Sequence, residues 1–155
     1  MKRCICGSCI VINEGKVLLL KHKKLGKWMY PGGHMEPEEL PIECAERETL
    51  EETGLKVKII SPNGNEEYIK DGNAVEMPVP MAIAYETVEY KEGTHMHFDM
   101  VYLSVPAGEK RIIANDESEG IRWFDRKEID EIDTFSNVRS LLLRAMNIYH
   151  DFSKH

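Results

Sequence analysis

Three glutamates, Glu48, Glu51 and Glu52, occupy positions i, i+3 and i+4 of a segment with a helical pattern. At these spacings the three carboxylates share one helix face, within an arc of about 100°. Two charges about 6 Å apart repel each other by roughly 3 kcal/mol at an effective dielectric constant of about 20. The fold gains nothing from this arrangement unless a cation neutralises it, so the sequence predicts a metal site on this helix face.

The ligand type restricts the choice of metal. Carboxylate oxygens are hard ligands that suit Mg²⁺ or Mn²⁺, and no thiolate–imidazole set close to the glutamates in the sequence favours zinc. Mg²⁺ often shares its coordination shell with substrate phosphates, so an anionic diphosphate is a consistent substrate. The alternative is a solvated acidic face, in which Arg47 pairs with Glu43 or Glu51 at i±4.

The segment from residue 33 to residue 55 resembles the signature of the Nudix hydrolase family, G-x5-E-x7-R-E-U-x-E-E-x-G-U, where U is aliphatic. Thr49 departs from the pattern, because it stands where an aliphatic residue is usual. The resemblance extends over about residues 5 to 130, through Trp28-x-x-Pro31-Gly32-Gly33 and Arg122-Trp123-Phe124. The residues that match the signature are Gly33, Glu39, Arg47, Glu48, Glu51, Glu52, Gly54 and Leu55.

This resemblance implies a fold and a set of residue roles. The fold is an α/β/α sandwich in which a mixed β-sheet packs between helices, and residues 1–155 form one domain. Arg47 and Glu39 are expected to pair as a scaffold, and Glu48 or Glu52 to serve as general base. A further acid is expected before Trp123, with the choice between Glu117 and Glu119 open. The metal ligands implied are the Gly33 carbonyl, Glu48, Glu51, Glu52 and one of that acidic pair.

The implied activity is divalent-cation-dependent pyrophosphohydrolysis, in which water attacks phosphorus in a nucleoside di- or triphosphate or a related nucleotide derivative. The substrate within this class is not identified by the sequence. A second hypothesis is a non-catalytic Nudix-fold module that senses a nucleotide or binds a protein. A third is isomerisation of an isoprenoid diphosphate, which uses a cysteine, for which Cys44 is a candidate, and a modified signature. The intact glutamate set counts against both.

Substrate contacts are expected from residues around the glycines. A basic cluster that includes Lys21 and Lys27 could clamp phosphates, although short charge runs are usually solvated. Tyr30 is a candidate for stacking on a base. His97 alternates with His95 and Asp99, so a strand would place the three on one face, with a metal or substrate role as one interpretation.

Composition sets the remaining limits. The chain has 155 residues, a net charge of −7 and 42% hydrophobic residues, which indicates a globular domain and argues against binding to a DNA or RNA duplex. No apolar run is long enough to span a membrane, and the N-terminal segment is interpreted as a strand, so we expect a cytoplasmic location. The sequence does not decide whether the chain forms a homodimer.

The closely spaced Cys4, Cys6 and Cys9 are interpreted as buried thiols of a strand in preference to a fragment of a metal site.

The pattern of hydrophobic and turn residues predicts strands at 4–12, 17–22, 57–60 and 122–124, with a short extended piece at 27–30. Residues 41–53 are predicted to be helical, and a second helix is expected from about Thr134. Residues 78–90 and 97–105 are β-rich, and 61–75 is expected to be a loop or loose hairpin. Asp125 and Glu128 resemble a capping box.

Overall fold

The computed structural model describes residues 1–62, 69–113, 115, 116 and 118–154. Strands and helices alternate irregularly along this part of the chain. The strands are β1 (Lys2–Asn13), β2 (Lys16–His22), β3 (Trp28–Met29), β4 (Gly32–His34), β5 (Val57–Ile60), β6 (Ile69–Asp71), β7 (Ala74–Glu76), β8 (Ala82–Tyr90), β9 (Gly93–Pro106) and β10 (Ser118–Phe124). The helices are α1 (Pro41–Thr53), α2 (Arg126–Glu131) and α3 (Ser136–Ser153).

One mixed sheet contains eight of these strands. Its main path runs β10-β2-β1-β9-β5, while β3 pairs with β2, β4 with β1 and β8 with β9. The pairing of β1 with β9 is parallel, from Lys2 opposite His95 to Val11 opposite Ser104. The other pairs in this sheet are antiparallel. Strands β6 and β7 form a separate hairpin.

Strand β1 is covered on both faces, which creates two hydrophobic cores. Ile10 belongs to a buried cluster that contains Leu142 of α3, whereas Val11 belongs to a second cluster that contains Ala45 of α1. Successive side chains of a strand point to opposite faces, so this alternation places a helix on each side of the sheet. The predicted α/β/α sandwich with a mixed sheet is therefore confirmed.

Helix α1 has the predicted bounds. Pro41 occupies the first turn, and Gly54 ends the helix in the left-handed conformation at φ 79°, where its N–H donates to the Leu50 carbonyl. Thr49, the departure from the family signature, is fully buried, and its hydroxyl donates to the Ala45 carbonyl at 2.7 Å. A polar side chain is tolerated at this apolar position because its hydrogen bond is made within the helix.

Several predicted boundaries shift in the structure. The strand predicted at 57–60 and the capping box at Asp125 and Glu128 are confirmed. The last helix begins at Ser136, because the Thr134 hydroxyl donates to the Trp28 carbonyl at 2.6 Å and holds this residue against β3. Within 61–75, residues 63–68 lie outside the described residues, and β6 and β7 form the expected hairpin farther along. Among the described residues, no helix combines the length and apolar character that crossing a bilayer requires.

Gly7 of β1 lies where α1 crosses the sheet, and Gly7→Ala should destabilise the fold. A Cβ atom there would lie 2.8 Å from the backbone nitrogen of Ala45 and closer still to the Pro41 carbonyl oxygen. Because both neighbours are backbone atoms, we expect the free energy of unfolding to fall by about 1–3 kcal/mol in equilibrium denaturant titrations.

Gly120→Ala is the matched control, because the nearest atom to its added Cβ is a Trp28 ring carbon at an ordinary 3.6 Å. Its unfolding free energy should change by less than about 0.5 kcal/mol. Equal stabilities for the two variants would contradict the close packing of α1 on β1.

Candidate active site

The predicted glutamates face the glycines of β4. The backbone N–H of Gly32 donates to Glu52 Oε1 at 3.0 Å. A Cβ atom at Gly33 would lie 2.5 Å from Glu48 Cδ and within 2.8 Å of both carboxylate oxygens. Gly33 therefore has no room for a side chain, and its backbone is in direct contact with the Glu48 carboxylate. The strand and the helix together form one cradle of oxygen atoms.

Arg47 connects this cradle to the preceding loop. Its Nε and Nη2 donate to the two carboxylate oxygens of Glu39 at 2.6 and 3.1 Å. Its Nη1 donates to Glu48 at 3.0 Å and to Glu51 at 3.2 Å. Nη2 also donates to the His34 carbonyl at 3.2 Å. One planar guanidinium thus fixes the loop, the strand and the helix relative to each other.

The carboxylates of this network differ in their environments. Burial raises the pKa of Glu48, while its contacts with Arg47 oppose that shift. The hydrogen bonds from Arg47 lower the pKa of Glu39. Glu48 and Glu52 also approach within hydrogen-bonding distance of each other. Four carboxylates with a single guanidinium leave an excess of negative charge, which a divalent cation would neutralise.

The donor set fits a hard cation. The half-buried carboxylates of Glu48 and Glu52 lie against the backbone of β4, and the Glu51 carboxylate accepts from the same Arg47 nitrogen as Glu48. The Gly33 carbonyl already accepts a hydrogen bond from the Cys44 thiol at 3.3 Å, which orients it. Oxygen ligands of this kind suit Mg²⁺ or Mn²⁺, and the absence of a side chain at Gly33 leaves the backbone accessible to the ion.

The structure describes only one of the two candidates for a further acid. Glu117 lies outside the described residues. Glu119 is an exposed residue of β10, the strand that pairs with β2 at the edge of the main path. The choice between them stays a prediction.

Of the two predicted lysines, Lys21 is on β2 and Lys27 directly precedes β3. Lys27 pairs with Asp133 in the connection between α2 and α3, and its ammonium group lies 5.9 Å from the centre of the Phe135 ring. Lys21 is a half-buried residue of β2. Neither lysine lines the cavity beside the glutamates. A phosphate contact from either lysine therefore stays a prediction, and for Lys27 it would compete with an existing ion pair.

A cavity of about 250 Å³ opens beside Gly32 and Gly33. Tyr30 and His97, both predicted to contact substrate, line it. Trp28 does not, because it packs edge-on against Phe124 in the core. The polar and glycine residues of the lining are Ser8, His22, Tyr30, Gly32, Gly33, His34, Glu86, Tyr90, His97 and Asp99.

A buried carboxyl group lies at one wall of this cavity. The Ser8 hydroxyl donates to Asp99 Oδ1 at 2.7 Å, and the Tyr30 hydroxyl lies 3.5 Å from Asp99 Oδ2. Burial raises the pKa of Asp99, although these two hydrogen bonds oppose the shift. Glu86 of β8 faces the same space, and burial followed by the charge of Asp99 raises its pKa as well. This wall can exchange hydrogen bonds with a polar ligand.

Ser8 and Glu86 were not predicted from the sequence as site residues, and Asp99 was considered only as part of the face that it shares with His95 and His97. The alternation of Asp99 with His97 indicated that the two share one face of a strand. It did not indicate a hydrogen-bond partner for the Asp99 carboxylate. Ser8 and Asp99 are 91 positions apart, and the parallel register of β1 and β9 brings them together. The spacing of residues along the sequence does not reveal a contact between residues this far apart.

The structure brings together a thiolate–imidazole set that the spacing of residues in the sequence did not indicate. The ligand atoms of Cys4, His34 and His97 all lie within 4.8 Å of one another. The three residues belong to three different strands, so their spacing in the sequence concealed the cluster. Cys6 and Cys9 are buried, as the strand interpretation predicted, and all four cysteines are free thiols.

The geometry above agrees with a comparison of the sequence with known families. A model of the NUDIX domain matches residues 5–145. The chain belongs to the Nudix family. The glutamate helix, the glycines of β4 and the Arg47 network are therefore the family's signature region in its folded form.

Individual Nudix relatives differ in how much of this chain they match. A Bacillus subtilis protein named "Putative 8-oxo-dGTP diphosphatase" is 27% identical over 115 residues, which is 74% of this chain and 61% of that protein. The phosphatase NudJ of Escherichia coli K12 is 42% identical over 53 residues, or 33% of this chain and 35% of NudJ. The chain thus spans less than two thirds of either curated relative.

Solved Nudix structures match over nearly the whole chain. A NUDIX-family hydrolase from Clostridium perfringens has a TM-score of 0.78 and 25% identity, and the match covers 96% of this chain and 99% of that one. An Ap4A hydrolase from Caenorhabditis elegans has a TM-score of 0.65 and 18% identity, with 96% and 98% covered. The latter likeness shows the fold alone.

The pairing of Arg47 with Glu39 predicts a pH-dependent contribution to stability. Glu39→Gln should lower the free energy of unfolding at pH 7 by about 1.5–3 kcal/mol, the usual contribution of hydrogen bonds to charged groups. The pKa of Glu39 is lowered from 4.5 in the folded state, so the stabilisation is complete above that value and disappears as the pH falls through the folded-state pKa. Denaturant titrations of both proteins from pH 7 to acidic pH should therefore converge.

The exposed Glu43→Gln on the same helix serves as the control and should change stability by less than about 0.5 kcal/mol throughout. A difference between wild type and Glu39→Gln that stays constant with pH would show that the ion pair is not its source.

Proposed function

We propose that this chain is a divalent-cation-dependent pyrophosphohydrolase that cleaves a diphosphate linkage in a nucleoside di- or triphosphate or a related nucleotide derivative. A cytoplasmic location and a possible homodimeric assembly remain predictions from the sequence. The single observation that carries the proposal is the contact of Glu48 and Glu52 with the glycine backbone of β4.

That contact is costly for a protein without a cation. Burial raises the pKa of Glu48, which means that its charged form is disfavoured in this position. Arg47 compensates only part of the negative charge, because it is shared among Glu39, Glu48 and Glu51. A purely structural helix would avoid this arrangement, whereas a helix that binds Mg²⁺ or Mn²⁺ requires it.

The residue roles follow from position. Glu48, Glu51, Glu52 and the Gly33 carbonyl would hold the cation, with Glu119 or Glu117 as the further acid. A bound divalent cation polarises the phosphoryl oxygens and offsets the charge that develops on them. Either Glu48 or Glu52 accepts the proton of the attacking water. The water oxygen forms a bond to phosphorus, the phosphoanhydride P–O bond breaks, and the leaving phosphate or nucleotide takes the electron pair.

Arg47 and Glu39 act by positioning the cradle. Their two hydrogen bonds hold the loop of residues 35–40 against α1, and Arg47 also holds the His34 carbonyl of β4. Catalytic groups must be held within fractions of an ångström for effective reaction. Loss of either partner should therefore affect the reaction through the placement of Glu48.

The cavity beside β4 is proposed to hold the organic part of the substrate. It adjoins Gly33, so a diphosphate at the glutamates can extend into it. Asp99, Ser8 and Tyr30 provide the polar wall that a nucleobase or ribose requires. The names of the Bacillus subtilis and Escherichia coli relatives, an 8-oxo-dGTP diphosphatase and a phosphatase, agree with a phosphorylated substrate of this kind.

Glu52→Gln should reduce turnover by about 100-fold or more while preserving the fold. The glutamine carbonyl can still accept the hydrogen bond from Gly32, so stability without metal should hold or rise as charge repulsion decreases. The assay measures phosphate and pyrophosphate release from nucleoside triphosphates including oxidised ones, nucleoside diphosphates, nucleotide sugars, ADP-ribose and dinucleoside polyphosphates, with Mg²⁺, Mn²⁺ or chelator.

Glu43→Gln, an exposed change on the same helix, is the control and should retain wild-type turnover. Mg²⁺ should raise the melting temperature of wild type more than that of Glu52→Gln, because binding to the folded state stabilises by mass action. Turnover that persists in chelator would refute the cation dependence. Absence of turnover by a protein that still binds Mg²⁺ would favour the non-catalytic module.

Asp99→Asn should weaken nucleotide binding specifically. Both hydroxyl groups donate to the Asp99 carboxylate, so an amide nitrogen at one oxygen position forces the facing hydroxyl to become an acceptor and changes the hydrogen bonds that this wall offers to a ligand. We expect KM to rise about tenfold or more, with a smaller change in kcat. Glu89→Gln, on the same sheet but outside the cavity, should leave KM unchanged. An unaltered KM for Asp99→Asn would remove this wall from the substrate site.

A further inference from the structure

Three strands bring one thiol and two imidazoles together at the cavity next to the glutamate cradle. Cys4 on β1 is opposite His97 on β9 in the parallel register. His34 on β4 is opposite Cys6, two residues along β1 from Cys4, so its side chain lies on the same face. The cluster therefore depends on the strand order β4-β1-β9 and not on any local motif.

The distances suit a single small metal ion. The ligand atoms of Cys4, His34 and His97 lie within 4.8 Å of one another, and the two Nε2 atoms of the histidines are 3.1 Å apart. In a tetrahedral site with Zn–N of about 2.0 Å and Zn–S of about 2.3 Å, ligand atoms lie about 3.3–3.6 Å apart. Small side-chain rotations would bring the three atoms to these separations.

We propose that Cys4, His34 and His97 form a Zn²⁺ site that is separate from the glutamate cradle. Thiolate and imidazole are the ligands that Zn²⁺ prefers, whereas Mg²⁺ and Mn²⁺ prefer the oxygens of the cradle. The chain thus presents two donor sets of different chemistry beside one cavity. This site goes beyond the proposed hydrolase function and does not depend on it.

Two further side chains approach the cluster. His95 Nδ1 lies 4.0 Å from Cys4 Sγ, and Tyr90 Oη lies 3.5 Å from His97 Nε2. The rings of His34 and His97 meet edge-on, with their centres 4.7 Å apart, so their nitrogen atoms converge on one point. His95 can donate to the Cys4 sulfur and orient it, as neighbours of metal ligands commonly do. The Tyr90 hydroxyl contacts the nitrogen that binds the ion, so it must turn away when the ion binds.

The fourth position of the ion faces the cavity. His34 and His97 both line that cavity, whereas Cys4 is not among its lining residues and lies opposite His97 on the neighbouring strand. A site with three protein ligands leaves one position for water or for an oxygen atom of a bound ligand. Without metal, the hydrogen bond between His34 Nε2 and His97 Nε2 requires that one of these two nitrogens carries a proton. Metal binding moves that proton to Nδ1 and releases the Cys4 thiol proton to solvent.

Cobalt(II) reports on this site directly, because a thiolate ligand gives a charge-transfer band that oxygen ligands do not give. The full-length protein, titrated with Co²⁺, should bind one equivalent with this band and with the visible bands of tetrahedral geometry. The Glu52→Gln protein should give the same spectrum, which separates this site from the cradle. Cys4→Ser should lose the charge-transfer band, and His34→Ala should lower Co²⁺ affinity by at least about tenfold.

Cys9→Ala is the matched thiol control, since Cys9 is fully buried in the core under α1. It should keep the wild-type spectrum. Circular dichroism checks that each variant is folded, and His34→Ala changes an exposed side chain and so provides a variant with little risk to folding. Absence of the band in wild type, or its persistence in Cys4→Ser, would overturn the proposal.

Zinc provides an independent measurement that needs no catalytic activity. Zn²⁺ should raise the melting temperature of wild type and of Glu52→Gln by mass action, and should raise it less in Cys4→Ser and His34→Ala. Equal shifts in all four proteins would assign zinc binding to other groups and refute the site. Loss of hydrolysis together with an intact cobalt spectrum would refute the proposed function and leave this site in place.

Discussion

The distance between α1 and the strands beneath it controls the rest of this structure. At Gly7 and at Gly33 no space exists for a Cβ atom, because the helix backbone lies over the first and a glutamate carboxylate over the second. Only this close approach puts helix carboxylates against the backbone of a strand. The guanidinium of Arg47 then fixes the spacing, with hydrogen bonds to the loop, the strand and the helix. Packing, charge and the proposed chemistry all depend on that one separation.

The sequence predicted most of what local spacing controls. The bounds of α1, its Gly54 cap and the shared face of its glutamates follow from helical periodicity, a proline and a glycine. The pairing of Arg47 with Glu39 agrees with the family signature. The start of α3 could not be predicted, since the hydrogen bond from Thr134 to β3 connects residues 106 positions apart. Periodicity describes one segment at a time and cannot show which strand lies beside it.

The same limit explains the residues that were missed. Ser8 and Asp99, like Cys4 and His97, are brought together by the parallel register of β1 and β9. The cysteines of β1 were interpreted by their spacing to one another, whereas their relevant neighbours are histidines on β4 and β9. Buried polar groups need partners, so an aspartate between apolar residues of a strand is a signal that such a partner exists. The signal gives no indication of where the partner lies in the sequence.

The central position of β1 also affects how the chain reaches its native state. This strand is synthesised well before β9, yet its longest pairing is with β9, in which Lys2 is opposite His95 and Val11 is opposite Ser104. Bringing such distant segments together costs loop-closure entropy before any contact repays it, and proteins rich in these contacts fold slowly. Until β9 has left the ribosome, the edge of β1 that faces β9 therefore stays unpaired, although β2 and β4 can already pair with the other edge. During that interval the segment that later organises both cores is also the segment most exposed to aggregation or chaperone binding.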